Sequence, residues 1–295
     1  MLNIYDSAAS AEKIKKQNMA LITFKRMCRN KLSIVGLILI IFFIVVAIFA
    51  PQIATHDYTA VNLAEKFMTP CAEHYFGTDD LGRDLFSRVV YGTRLSLYIG
   101  LMGVITSTIV GVIIGSVSGY FGGVIDTILM RILDILNGIP AMVLAIAICA
   151  ALGSGINNCI LALSIATVPS VARLVRASIL NVRGMDYIEA AQSINCSNAR
   201  IILSHVLPNA FSPLLVNMTM NYAFFILTAA GLSFVGLGVQ PPAAEWGALI
   251  SAARSYTRSY PYLILIPGIA LILLVLAFNM VGDGLRDALD PKLKD

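Results

Sequence analysis

Ser33-Ile-Val-Gly-Leu-Ile-Leu-Ile-Ile-Phe-Phe-Ile-Val-Val-Ala-Ile-Phe-Ala50 carries no charge and no polar side chain beyond its opening serine. An apolar run of about 18–20 residues is long enough to cross the hydrocarbon core of a bilayer. Residues 1–32 precede it and Pro51 sits where a cleavage site would have to be cut, so it is expected to anchor the chain rather than be removed. Five further runs repeat the pattern: Leu95–Gly119, Asp126–Leu152, Ile156–Ile179, Phe211–Gly231 and Tyr262–Gly282. The chain as a whole is 58% hydrophobic and 13% charged, where soluble domains carry about a quarter charged residues. Its apolar residues come in unbroken runs, not the alternating segments of about ten residues that build a transmembrane barrel. The fold class is therefore all-α and polytopic, with six transmembrane helices.

The third run is the least clean. Asp126, Arg131 and Asp134 occupy its first turns and Pro140 is expected to kink it. Those charges belong near the membrane surface, where Arg131 and Asp134, three residues apart on one face, can pair. The second run carries Gly103, Ser107, Gly111, Gly115 and Gly119, a small residue at every fourth position. Such a stripe lets another helix approach closely. Packing inside the chain is the preferred account of it, ahead of a contact between subunits.

Six crossings put both termini on one side, and the basic residues choose the side. One side would hold Lys13, Lys15, Lys16, Lys25, Arg26, Arg29, Lys31, Arg131, Arg173, Arg176, Arg183, Arg200, Arg286, Lys292 and Lys294. The other would hold Lys66, Arg83, Arg88, Arg94, Arg254 and Arg258. The positive-inside rule makes both termini cytoplasmic. The expected organisation is a cytoplasmic segment 1–32, a first transmembrane helix 33–54, an external loop 55–94, a five-helix core 95–285 and a cytoplasmic tail 286–295. Within the core lie a cytoplasmic loop 181–209 and an external loop 232–261.

The cytoplasmic loop is long for a connector, and long loops are commonly functional. Local rules predict two short helices in it. Asp186 favours the first N-terminus, Asn195 tolerates the left-handed conformation that ends it, Ser197 can cap the second and Pro208 should end that one. Two short amphipathic helices projecting from a membrane domain suit a soluble partner.

Glu189-Ala190-Ala191, with a turn residue at Asn195, Arg200 beyond it and Leu207-Pro208 further on, resembles the EAA loop of bacterial ABC importer permeases. The family normally has glycine at the turn, and Asn is the next best left-handed residue. Three more stretches sharpen the resemblance: Phe76-Gly-Thr-Asp-Asp-Leu-Gly-Arg-Asp-Leu-Phe86, Leu232-Ser-Phe-Val-Gly-Leu-Gly-Val-Gln-Pro-Pro242 with Glu245-Trp-Gly247, and Asn279-Met-Val-Gly-Asp-Gly-Leu-Arg-Asp-Ala-Leu-Asp-Pro291. From about Phe24 to Lys294 the chain is similar to the second, C-type permease subunit of the dipeptide/oligopeptide/nickel importer family. That resemblance implies the type I ABC importer permease fold in a bacterial plasma membrane. It implies ATPase coupling through Glu189, Ala190, Ala191, Asn195, Arg200, Leu207 and Pro208. The implied partners are a homologous permease subunit in a heterodimer, two ATP-binding subunits, an extracytoplasmic solute-binding protein, a peptide substrate and membrane lipid. ATP and magnesium would be held by the partner ATPases. Nickel, metal chelates or glutathione are the alternative cargoes.

Other residues remain open between two roles. Asp79, Asp80, Arg83 and Asp84, just before the second run, either face the binding protein, as the resemblance suggests, or form an ion-pair network that folds the loop. Trp246, the only tryptophan, is either part of that docking surface or, preferably, an interfacial anchor. Asn217 and Asn221 share one helix face and either bond to another helix or line the path. Asp283, Arg286, Asp287 and Asp290 are expected to form a cytoplasmic ion-pair cluster.

Several function classes are excluded or disfavoured. A phosphate loop needs Gly-Lys before Ser or Thr, and no Gly-Lys occurs among the 22 glycines. No catalytic residue, cofactor or metal site is expected: the five cysteines show no paired spacing, His56, His74 and His205 are far apart in sequence, and HExxH is absent. Nucleic acid is not an expected partner. A self-sufficient secondary transporter would need functional charges in mid-span or broken helices near the midplane, and the charges here gather at span ends.

Overall fold

The computed structural model describes residues 19–289. Lys13, Lys15, Lys16, Asp290, Lys292 and Lys294 lie outside the described residues, as do most of segment 1–32 and part of tail 286–295. A backbone in hydrocarbon must satisfy its own N–H and C=O groups, so the apolar runs become helices. In chain order these are α1 Met19–Met27, α2 Lys31–Ile48, α3 Ala50–Ile53, α4 Leu85–Phe121, α5 Gly123–Asn137, α6 Ala141–Leu152, α7 Ile156–Arg183, α8 Asp186–Ser193, α9 Asn198–Ile201, α10 Leu207–Phe234, α11 Trp246–Ala253 and α12 Tyr262–Leu289. Among the described residues there is no strand, only an isolated bridge between Thr78 and Asp84.

Five stretches are long and apolar enough to cross a membrane: α2, α4, α7, Asn198–Phe234 and α12. The bent pair α5 and α6 supplies a sixth if it counts as one crossing. The expected kink is a break of 87° between Asn137 and Ala141. Pro140 has no N–H to donate, and its ring pushes the preceding Ile139 out of the helical region. The start of α4 also differs from expectation. It begins at Leu85, not Leu95, because Asp84 accepts a hydrogen bond from the Ser87 N–H at 2.7 Å and caps it there.

The small-residue stripe on α4 packs within the chain, as preferred. A Cβ at Gly111 would lie 2.6 Å from Val171 of α7, one at Gly115 would meet the Ala172 carbonyl, and Gly103 admits the Phe225 ring of α10. The helix α12 runs against α2 and α10. Two apolar clusters result. The larger centres on Ile99, Leu163, Phe225, Leu232 and Trp246. The other joins Val175, Ile179 and Val182 of α7 to Ile188, Ile201 and Val206 of the loop that follows it. The outward faces stay apolar, with Ile38, Phe42 and Ile48 of α2 and Ile113 of α4 all exposed, as lipid contact requires.

Candidate functional site

The loop after α7 builds one compact unit. Asp186 and Glu189 occupy the first turn of α8, where carboxylates favour the helix dipole. Ile188 and Ala191, three residues apart, turn inward and are buried against α7. That leaves Glu189 and Ala190 exposed, flanked by Tyr187 and by Ile194 at 77% exposure.

Asn195 then takes φ +58, as the sequence predicts. Its N–H donates to the Gln192 carbonyl at 2.9 Å, and the Cys196 N–H donates to the Ala191 carbonyl at 3.1 Å. These two bonds are the Schellman pattern, in which a left-handed residue lets the chain cap the last carbonyls of a helix. Ser197 occupies the cap position of α9, but its side chain makes no capping bond, contrary to expectation.

Pro208 does not end the second helix. It sits in the first turn of α10, and the chain passes into it through a π-helical turn, Ile202–Val206. The Leu207 N–H reaches back five residues to the Ile202 carbonyl. The wider turn admits a proline whose missing N–H would break an ordinary α-turn. Arg200, Leu203 and Pro208 are exposed and Leu207 is half-buried. Among the described residues neither Glu189 nor Arg200 has an ion-pair partner within 4.0 Å. The unit thus presents an unpaired anion, an unpaired cation and exposed Ile194 and Leu203 on a scaffold anchored through Ile188, Ile201 and Val206.

The helix feeding this loop is braced by ion pairs. Arg176 holds Asp126 with two hydrogen bonds of 2.6 Å, and Arg173 holds Asp134 at 2.7 Å. The expected Arg131–Asp134 pair does not form. Asp134 faces α7, where arginine reaches it across the helix contact, and Arg131 is exposed. Asn217 and Asn221 are half-buried on α10 and bond to each other at 2.8 Å, not to another helix.

At the opposite end, the charged stretch before α4 folds onto itself. Arg83 pairs with Asp79 at 2.7 Å, and Arg88 lies 3.5 Å from Asp79 and donates to the Tyr58 carbonyl at 3.1 Å. Asp84 caps α4 and meets His74 at 2.8 Å. Asp79, Arg83 and Asp84 are buried and Asp80 is half-buried, the arrangement of a loop-folding network.

Trp246 is fully buried, so it is neither an interfacial anchor nor an exposed docking residue. Its indole N–H donates to the Val89 carbonyl at 3.0 Å, and its ring packs edge-on against Phe43. Close behind it, Glu245 caps α11 through the Gly247 and Ala248 N–H groups and accepts from the Ser233 hydroxyl. Burial pushes the Glu245 carboxyl up, and those donors pull it back. The capping role is readable in Glu245 preceding an apolar run. The meeting of His56 with His74, their rings 4.7 Å apart, had no sequence signal at all.

Comparison with known proteins bears on this arrangement. Residues 111–295 match the family described as binding-protein-dependent transport system inner membrane component, and residues 19–70 match the N-terminal TM domain of oligopeptide transport permease C. The dipeptide transport system permease protein DppC of Alkalihalophilus pseudofirmus is 47% identical, over 92% of this chain and 89% of its own. The oligopeptide transport system permease protein OppC of Bacillus subtilis is 40% identical, over 99% and 98%. The glutathione transport system permease protein GsiD of Pectobacterium atrosepticum is 40% identical, over 92% and 90%. Among solved structures, an inward-facing MetNI methionine ABC transporter chain superposes with TM-score 0.56 at 19% identity, over 69% of this chain and 97% of that one. The fold is that of type I ABC importer permeases.

Proposed function

This chain belongs to the family of binding-protein-dependent transport system inner membrane components, and from that premise we propose that it forms half of the translocation pathway of a peptide-importing ABC transporter. The names of its relatives support peptide as the cargo class: dipeptide and oligopeptide permeases align over nearly their whole lengths. Glutathione, itself a small peptide, is the second candidate, because a glutathione permease aligns at 40% identity. A homologous permease subunit supplies the other half of the path, a binding protein delivers cargo from outside, and two ATPase subunits bind ATP and magnesium on the cytoplasmic side. Both termini are cytoplasmic in this scheme, and the membrane is the bacterial plasma membrane.

The observation that carries the coupling role is the loop face around Glu189. A helix exposes a carboxylate and Ala190 beside the protruding Ile194, while its other face is locked to α7 by Ile188 and Ala191. A small exposed alanine lets a groove close over the helix, and the carboxylate supplies an anchoring charge. Because Arg173 and Arg176 tie α7 to α5, a movement of α8 that shifts α7 would also reach the bent pair. Asn217 and Asn221 are candidates for lining the path, since both are half-buried and their mutual bond leaves part of each amide free.

Glu189→Lys tests the assignment. Like charge at a contact that expects an anion costs binding, so substrate-stimulated ATPase activity or assembly with the ATPase subunits should be lost while membrane insertion is unchanged. Wild-type uptake in this variant would refute the coupling role of the loop.

A further inference from the structure

We propose that His56, His74 and Asp84 form a binding site for one divalent transition-metal ion of the zinc class. One ligand atom from each lies within 4.8 Å of the other two. The Asp84 Oδ1 is 2.8 Å from His74 Nδ1 and 3.9 Å from His56 Nδ1. Tetrahedral zinc, with bonds of about 2.0–2.1 Å, spaces its ligand atoms about 3.3–3.4 Å apart. These two separations bracket that spacing, and the two histidine nitrogens lie within 4.8 Å of each other.

The charges in the cluster call for a cation. Asp84 is buried, with a side-chain exposure of 1%, and among the described residues no Lys or Arg lies within 4.0 Å of it. Arg83 and Arg88 turn instead to Asp79. The other Asp84 oxygen receives only neutral donors, the Ser87 N–H and the Thr55 hydroxyl. A buried carboxylate without a compensating charge is expensive.

His74, also buried, sharpens the point. Its Nδ1 faces Asp84, while its Nε2 lies 3.4 Å from Glu65 and makes no hydrogen bond. A neutral imidazole has one N–H, so it can serve one of these carboxylates and turns a lone pair on the other. A metal on Nδ1, bridging to Asp84, frees the proton for Nε2 and Glu65. That is the carboxylate–histidine–metal relay, in which an outer carboxylate orients a ligating histidine. Two imidazoles and one carboxylate select a borderline ion such as Zn²⁺ over Mg²⁺ or Ca²⁺, which prefer all-oxygen sites. Water completes the coordination.

Such an ion would fasten three segments: the exit from α2 and α3 at His56, the loop at His74 and the first cap of α4 at Asp84. The test of this site does not depend on transport. His56 is the ligand to change, because its side chain is 38% exposed and Asp84 also caps a helix. The full chain, purified in detergent, stripped with chelator and dialysed against Zn²⁺, should retain one equivalent more zinc than His56→Ala by elemental analysis. Co²⁺ in its place should give the visible absorption of a tetrahedral site in wild type and not in the variant. Glu65→Gln, which leaves the ligands intact, should weaken binding about 10–100-fold. Equal zinc retention by wild type and His56→Ala, with both eluting as folded protein, overturns the proposal.

Discussion

Replacing Asn195 is the sharpest probe of the coupling loop, because the two energies involved can be worked from its geometry. At φ +58 a β-branched side chain is a genuine outlier, and an L-residue there pays about 1–2 kcal/mol in steric strain. In Asn195→Val the chain can keep the turn and bear that strain, or relax to negative φ. Relaxation forfeits the Asn195–Gln192 and Cys196–Ala191 bonds, each contributing about 0.5–1.5 kcal/mol. Both routes cost about the same, so the docking-competent loop loses roughly 1–2 kcal/mol whichever the chain takes. The opening equilibrium of the loop shifts by the same energy, about 5–30-fold. Asn195→Gly removes the strain but loosens the unfolded chain by about 0.4–1 kcal/mol, so its net effect should be small. The assay is hydrogen exchange at the loop amides of the permease in nanodiscs, alongside peptide uptake in proteoliposomes. Valine should exchange about 5–30-fold faster and glycine within about twofold of wild type. If valine exchanges as slowly as glycine, the left-handed turn does not hold the loop, and the link from Asn195 to coupling fails.

Other outcomes can be checked independently. Cys71 is exposed and Cys196 half-buried at opposite ends of the bundle, so a membrane-impermeant thiol reagent added to spheroplasts should label Cys71 alone; the reverse pattern would invert the proposed topology. Trp246→Ala should cost about 3–5 kcal/mol through the cavity left beside Phe43 and the lost bond to the Val89 carbonyl, read as a lower unfolding temperature in detergent. An unchanged melting curve would mean the indole is not packed as described. Asp126→Ala should destabilise by about 1.5–3 kcal/mol, since it strips both charge-assisted bonds from Arg176, and Arg176→Lys should only partly mimic arginine. Equal stability of Arg176→Lys and wild type would argue against the two-point grip.

Features governed by near neighbours were legible in the sequence. Apolar runs of spanning length became helices because hydrocarbon leaves the backbone no other partner. The left-handed Asn195 followed from a residue type that tolerates positive φ lying between two helix-forming stretches. The every-fourth small residues of α4 announced a close helix contact, and its partners proved to be α7 and α10. At Pro140 and Pro208 the sequence marked the right positions but not the outcome. A missing N–H says that the helix is disturbed, and the surrounding packing decides between a right-angle break and a π-turn.

Features that depend on distant segments were decided only by the tertiary structure. Asp134 has an arginine one turn away in sequence, yet it pairs with Arg173, because adjacent helices aim the two side chains at each other. Trp246 looked like a surface aromatic because its flanking prolines and loop position describe only local chain. Its burial follows from Gly92 and Val89 of α4 and Phe43 of α2 converging on it. His56, His74 and Asp84 meet because the exit from the first span folds back over the start of the second. Local propensity acts over a few residues, whereas charge pairing, burial and ligand geometry are set by which helices end up side by side.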